Sequence, residues 1–202
     1  MMKTEHNDGD RSIARSPFFV CAINGSSRVK GKTTEKLDKI LKDAKALGAK
    51  TELIHLAQYP LQPCDGSQNP QRQPDIQKIL KSVENADGVV FGTPTYMFNM
   101  SGLMKNFIDR LLVTEAKWTL EYKVAGFVAT GHTGEDGAMI AITSMAGALN
   151  HLGMVIFPYS MIYFRGNGPS WANKDLPKFA KRMLDMVEIT APFRGRTGRV
   201  KH

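Results

Sequence analysis

Cysteine is nearly missing: Cys21 and Cys64 are the two thiols in 202 residues. Two cysteines build no disulfide framework, and Cys64, alone in its segment, cannot hold an iron–sulfur cluster or a structural zinc. Acidic residues are short as well, with 19 Asp and Glu against 27 Lys and Arg and a formal net charge of +8. No apolar run approaches the roughly 20 residues that cross a bilayer. The opening segment, residues 1–16, is polar and lacks the apolar stretch of a signal peptide. A cytoplasmic protein with no metal and no membrane partner is therefore expected. The remaining composition, 42% hydrophobic and 23% charged, is that of one globular domain with a proper core.

The positive excess does not by itself point to nucleic acid. Part of it is local: residues 191–202 carry Arg194, Arg196, Arg199 and Lys201 without an acid, which reads as a basic, flexible tail. Nucleic acid is not expected as a partner, whereas a basic surface also draws in phosphate-bearing small molecules. Residues 1–16 read as a disordered segment, polar and without periodicity, and residues 17–190 as the domain.

Phe18-Phe19-Val20-Cys21-Ala22-Ile23 is continuously apolar, the pattern of a strand buried on both faces, with Cys21 in the core as a small hydrophobe. Asn24-Gly25-Ser26-Ser27-Arg28-Val29-Lys30-Gly31-Lys32-Thr33-Thr34 comes next. Leu37, Ile40, Leu41, Ala44 and Leu47 then recur at helical spacing up to Gly48, a helix-ending glycine. Strand, glycine- and hydroxyl-rich loop, then helix is the arrangement that presents backbone N–H groups to an anion. A nucleoside-triphosphate loop needs four residues between its glycines. Here five separate Gly25 from Gly31, so Gly31-Lys32-Thr33 is out of register and a phosphate monoester is the expected anion.

Residues 49–56 read as a second strand, and 58–74, rich in Pro, Gln and Gly, as a surface loop. Asp75 is placed to cap a helix with Ile76, Ile79, Leu80 and Val83 on one face. The strand 88–93 opens into Pro94-Thr95-Tyr96-Met97-Phe98-Asn99-Met100. Ser101 then starts a helix with Leu103, Phe107 and Leu111 on one side. Tyr96, Met97 and Phe98 offer a planar ligand something to lie against; they would equally serve to complete the core. A further strand, 124–129, ends in Thr130-Gly131-His132-Thr133-Gly134-Glu135-Asp136-Gly137. A helix over 138–152, a strand over 154–159 and a helix from Asp175 through Phe179, Met183 and Val187 complete the chain. Five strands alternating with helices predict an α/β protein, a doubly wound five-stranded parallel sheet.

Three ligand-shaped loops on successive strand ends are what the flavodoxin-like fold presents to its cofactor. The residues resemble the NAD(P)H-dependent FMN reductase family and its iron–sulfur flavoprotein relatives. Gly25-Ser26-Ser27-Arg28 with Gly31-Lys32-Thr33 is similar to their phosphate loop. Gly92-Thr93-Pro94-Thr95-Tyr96 with Ser101-Gly102-Leu103-Met104-Lys105-Asn106-Phe107-Ile108-Asp109-Arg110 is similar to a longer, more specific segment, and the likeness covers residues 18–159. Ser27 stands for the family's proline and Lys32 for its asparagine, which keeps the phosphate logic and adds charge. Pro63-Cys64-Asp65-Gly66-Ser67 lies where the iron–sulfur relatives carry several cysteines, so no cluster is expected.

The resemblance implies strand order 2-1-3-4-5, an FMN cofactor, and NADPH or NADH as co-substrate. It implies a quinone, free flavin or similar small acceptor, and assembly as a homodimer or homotetramer. Ser26, Ser27, Arg28, Thr33 and Thr34 would bind the phosphate. Pro94, Thr95, Tyr96, Met97, Phe98 and Asn99 would line one edge and face of the ring, and Thr130, Gly131, His132 and Gly134 the other edge. Hydride transfer between stacked rings needs no protein nucleophile, so no catalytic residue is expected. His132 would modulate the charge of the reduced ring or pass a proton, or simply face solvent as a loop histidine. Asp109 and Arg110 read as structural or subunit contacts, and Trp118, Tyr122 and Trp171 as subunit contacts or core. The alternatives are an electron carrier without turnover of its own and a flavin-binding regulatory protein.

Overall fold

The computed structural model describes residues 17–72, 74–131, 136–166 and 172–194. Five strands run parallel: β1 (Phe19–Asn24), β2 (Lys50–His55), β3 (Gly88–Tyr96), β5 (Val124–Gly131) and β6 (Val155–Arg165). Their order across the sheet is β2-β1-β3-β5-β6, which is 2-1-3-4-5 when the long strands alone are counted. The additional β4 (Asn99–Met100) pairs antiparallel with the end of β3. The helices are α1 (Lys32–Ala46), α2 (Gln77–Asn85), α3 (Gly102–Arg110), α4 (Asp136–His151) and α5 (Ala172–Thr190).

The apolar runs are continuous because alternate side chains enter two separate cores. Val20 and Ala22 of β1, Val90 of β3 and Val124 and Val128 of β5 meet α1 and α5 on one face. Cys21, Ile23, Val89, Phe91, Ala125, Phe127 and Ala129 meet α2, α3 and α4 on the other. Burial, reinforced by Glu52, pushes the Cys21 thiol far above its ordinary range and leaves it chemically quiet. Chain order passes from β2 across β1 to β3, so the switch point of the sheet lies between β1 and β3, where open α/β sheets hold ligands.

Several boundaries differ from the sequence reading. Leu47 is half exposed and ends α1 instead of packing beneath it. Asp75 caps nothing: a single 3-10 turn, Pro74–Ile76, precedes α2, and the Asp75 carboxylate turns inward to Arg110. Leu103 is partly buried, and Met104, Phe107 and Ile108 form the inner side of α3. The segment after α3 is a 3-10 helix, Leu111–Lys117. Of the residues read as a flexible tail, the first four are anchored. Ala191–Phe193 forms a 3-10 turn, the Phe193 ring lies tilted against Tyr122, and Arg194 pairs with Asp87; residues 195–202 lie outside the described residues. Lys123, beside this pair, is buried with its ammonium on the Ala86 carbonyl at 2.7 Å. That burial lowers its pKa, partly offset by Asp87. Among the described residues no helix is long and apolar enough to cross a membrane.

Candidate functional site

The phosphate-type loop is shaped by side chains that turn back on its own backbone. Asn24, at the end of β1 and fully buried, accepts the Ser26 N–H on Oδ1 at 2.9 Å. Ser26 Oγ accepts the Arg28 N–H at 3.1 Å. These are two consecutive i→i+2 turns of the kind Asn and Ser favour. Gly31, extended, sits at the N-cap of α1, and no side chain caps that helix end. An uncapped helix start with Arg28, Lys30 and Lys32 about it is a receptor for an anion.

The second wall comes from β3, which continues as strand past the apolar run to Tyr96. Met97 and Phe98, both at positive φ (45° and 62°), then reverse the chain, so that Tyr96 faces Asn99 and Thr95 faces Met100. This is the geometry of a two-residue type I′ hairpin turn, which Asn-Gly ordinarily occupies. Two large apolar residues holding it store backbone strain of order 1–3 kcal/mol each. Ser101 then sets the start of α3. Its hydroxyl accepts the Met104 N–H as the α3 N-cap and donates to the Gly25 carbonyl at 2.6 Å. Its own N–H goes to Thr93 Oγ1 at 2.9 Å.

The third wall is the end of β5. Thr130 Oγ1 lies 2.7 Å from Thr33 Oγ1, a buried hydroxyl pair joining β5 to the start of α1. Thr95 Oγ1 donates to the Thr130 carbonyl at 3.2 Å. Lys32 reaches across to the Gly166 carbonyl at 2.8 Å, and the Gly166 N–H goes to Gly131 O. α4 begins hard against the hairpin: a Cβ on Gly137 would come within 3.0 Å of Phe98 Cα and 3.2 Å of Thr95 Cγ2.

Together these walls enclose a cavity of about 440 Å³ at the C-terminal ends of β1, β3 and β5. Ser26, Arg28, Thr33, Pro94, Thr95, Tyr96, Thr130 and Gly131 of the expected set line it, along with Lys30, Gly31 and Lys32. The other expected residues are placed elsewhere. Ser27 is exposed beside the loop. Thr34 Oγ1 donates to the Val29 carbonyl at 2.8 Å and accepts from Asn24 Nδ2, so it braces the loop from behind. Met97 and Phe98 project from the hairpin tip, 93% and 64% exposed, away from the cavity lining. Asn99 turns its Oδ1 onto the Met100 N–H at 2.8 Å. His132 and Gly134 lie outside the described residues.

Sequence reasoning passed over Asn24 and Lys30. Asn24 gave a signal, since a polar residue closing an apolar run just before a Gly-Ser loop has to be satisfied by that loop. Among the described residues no group of His, Cys, Asp and Glu could hold a metal ion. Cys64 is partly buried, with its N–H on Asn106 Oδ1 at 2.8 Å. Trp171 lies outside the described residues, and Tyr122 is engaged by Phe193 of the same chain.

The donor set fits a flavin mononucleotide. One end of the cavity offers an uncapped helix start and three cations, enough for a phosphate dianion, and the other a strand end with proline, threonine and tyrosine. Comparison with known proteins agrees. An iron-sulfur flavoprotein of Archaeoglobus fulgidus is 34% identical over 147 residues, 70% of this chain and 72% of its own length. A protein of Acidithiobacillus ferrooxidans named NAD(P)H dehydrogenase (quinone) is 36% identical over 136 residues, 63% of this chain and 65% of its own. Among solved structures, RosB with a bound formylriboflavin phosphate intermediate superposes with a TM-score of 0.75 at 19% identity, covering 89% of this chain and 82% of that one. Residues 19–166 match the family described as NADPH-dependent FMN reductase. With that match spanning most of the chain and three strand ends lining one cavity, the chain belongs to the NADPH-dependent FMN reductase family and is an FMN-dependent oxidoreductase.

Proposed function

We propose that the protein takes electrons from NADPH or NADH through FMN held in the β1–β3–β5 cavity and delivers them to a quinone, free flavin or similar small acceptor. One observation carries this reading: the uncapped start of α1, with Arg28, Lys30 and Lys32, opens into the same cavity as the Pro94-Thr95-Tyr96 strand end. The protein named for a quinone among its relatives supports the acceptor class.

In this reading Ser26, Arg28 and Thr33 hold the phosphate, and Lys30 and Lys32 raise the local positive potential that attracts it. Pro94, Thr95 and Tyr96 lie along one edge of the ring, and Thr130 and Gly131 along the other. The Thr33–Thr130 hydroxyl pair keeps the phosphate end and the ring end at a fixed separation before anything binds, which lowers the ordering cost of binding. FMN bound there would supply the redox chemistry between nicotinamide and acceptor. The chain's part is to bind, orient and leave one face of the ring open; no side chain is needed as a nucleophile. Purified protein should show visible flavin absorbance, or gain it on adding FMN. Anaerobic NADPH or NADH should bleach it, and a quinone should restore it. Protein that neither carries nor takes up FMN would overturn the reading.

The same face argues for self-association. Tyr96, Met97 and Phe98 are 50%, 93% and 64% exposed, and α4 adds exposed Met139 and Ile140. Large apolar groups clustered beside a cavity mark an interaction surface. A homodimer or homotetramer in which this surface is covered follows, in a cytoplasmic enzyme whose described cysteines are both free. Light scattering on a sizing column should give a dimer or tetramer mass, and Met97→Ser with Phe98→Ser should lower it. A wild-type monomer at micromolar concentration would sink the idea.

A further inference from the structure

One carboxamide outside the cavity lining bonds both ends of the phosphate loop and the edge strand of the sheet. Asn24 is buried and is not part of the cavity lining. Its Oδ1 accepts the Ser26 N–H at 2.9 Å. Its Nδ2 donates to Thr34 Oγ1 at 2.9 Å and meets His55 Nδ1 at 3.1 Å. Thr34 Oγ1 in turn donates to the Val29 carbonyl at 2.8 Å. One amide thus grips the loop at both ends, at Ser26 where it leaves β1 and through Thr34 where it enters α1.

The orientation of that amide is not free. Turned by 180°, it would set its NH2 against the Ser26 N–H, donor against donor. His55, at the last position of β2 and opposite Asn24 in the parallel pairing, accepts one Nδ2 hydrogen and so keeps its own proton on Nε2. The edge strand of the sheet, which contributes no residue to the cavity lining, therefore has a part in the loop's shape.

We propose that Asn24 is the positioning residue of the phosphate loop and that His55 is its orienter. Acting through Ser26 and Thr34, the pair sets discrimination for the phosphate of the flavin and leaves affinity for the ring untouched. The inference rests on the reading that FMN occupies this cavity. A role in the core alone would lower stability and affect every flavin alike, whereas a role in positioning the loop separates flavins with a phosphate from those without.

The test is fluorescence titration of the apoprotein with FMN and with riboflavin, which lacks the phosphate. Wild type should bind FMN more tightly than riboflavin. Asn24→Ala removes two hydrogen bonds to the loop and a third to His55, and should weaken FMN roughly tenfold to hundredfold while riboflavin affinity stays within about twofold. Thr34→Val, close in shape but without the hydroxyl, and His55→Ala at the sheet edge should each give a smaller loss in the same direction, so the test survives if Asn24→Ala does not fold. Equal losses for both flavins, or unchanged FMN affinity in folded variants, would overturn the inference. Wild type that binds riboflavin as tightly as FMN would instead overturn the phosphate reading of the cavity.

Discussion

Arg110→Ala should cost about 3–5 kcal/mol of folding stability, read as a lower denaturation midpoint at neutral pH. Arg110 is 2% exposed, lying on the inner side of α3, and Nη1 and Nη2 of its guanidinium both meet the Asp75 carboxylate. Nη1 also donates to the Gln62 carbonyl at 2.8 Å. Asp75 Oδ2 accepts the Gln62 N–H at 2.8 Å, and Asn106 Nδ2 reaches the same Gln62 carbonyl at 3.0 Å. The pair is therefore the rivet that fastens the loop before α2 to α3, and removing the cation leaves a carboxylate without its counter-charge. The Arg110 hydrogen bond, in the main, holds the Asp75 pKa down at about 2. Because the folded value lies below the unfolded one, near 3.9, the stabilisation is complete above the unfolded value. It is lost as pH falls through about 2. The midpoint gap between wild type and Asp75→Asn should accordingly narrow on acidification over that window. Equal midpoints for wild type and Arg110→Ala at neutral pH would refute this role for the pair.

Gly25→Ala should loosen the cofactor more than any change at the cavity rim, with FMN affinity falling roughly tenfold to hundredfold and stability by about 1–3 kcal/mol. The residue is clamped on both sides: its N–H donates to the Gly92 carbonyl at 2.8 Å and its carbonyl accepts from Ser101 Oγ at 2.6 Å. A Cβ there would stand 2.7 Å from Met104 Cβ and 3.1 Å from Ser101 Oγ. Neither neighbour can swing aside, since one is the root of a buried side chain and the other is the α3 cap. The strand end and the helix must part, and the loop that begins at Ser26 moves with them. Gly102→Ala is the matched control, because a Cβ at that position meets nothing within 4 Å. Flavin titration and thermal melts of the two variants decide the matter; a Gly25→Ala protein that binds FMN like wild type would show that the close approach is not needed.

The interior was legible in the sequence and the working ends of the strands were not. Val20 to Ile23, Val89 to Phe91 and Val124 to Ala129 announce themselves because burial on both faces leaves no polar position in the run. That signal stops where function begins. Asn24, Thr95 with Tyr96, and Thr130 with Gly131 continue their strands, yet they are polar, small or amphipathic and read as loop. The phosphate loop could be found from Gly, Ser and Thr ahead of a helix. Which hydroxyl faces the cavity and which braces it could not: Thr33 and Thr34 are adjacent and chemically identical, and only the partners Thr130 and Val29 tell them apart. Met97 and Phe98 show a different limit. Their composition suited a ring-binding wall or the core, and the sequence did not announce the type I′ reversal, assigned by propensity to Asn and Gly, that leaves both exposed at a hairpin tip.

The anchoring of Phe193 and Arg194 has a practical side. Arg194 pairs with Asp87, just ahead of β3, and Phe193 rests on Tyr122, just ahead of β5, whereas the cavity opens at the far ends of those same strands. At ~3.3 Å per residue along a strand the two poles stand roughly 25 Å apart. A surface tether or electrode linker joined beyond Arg194 would thus hold the molecule by its base and leave the cofactor mouth facing the solution.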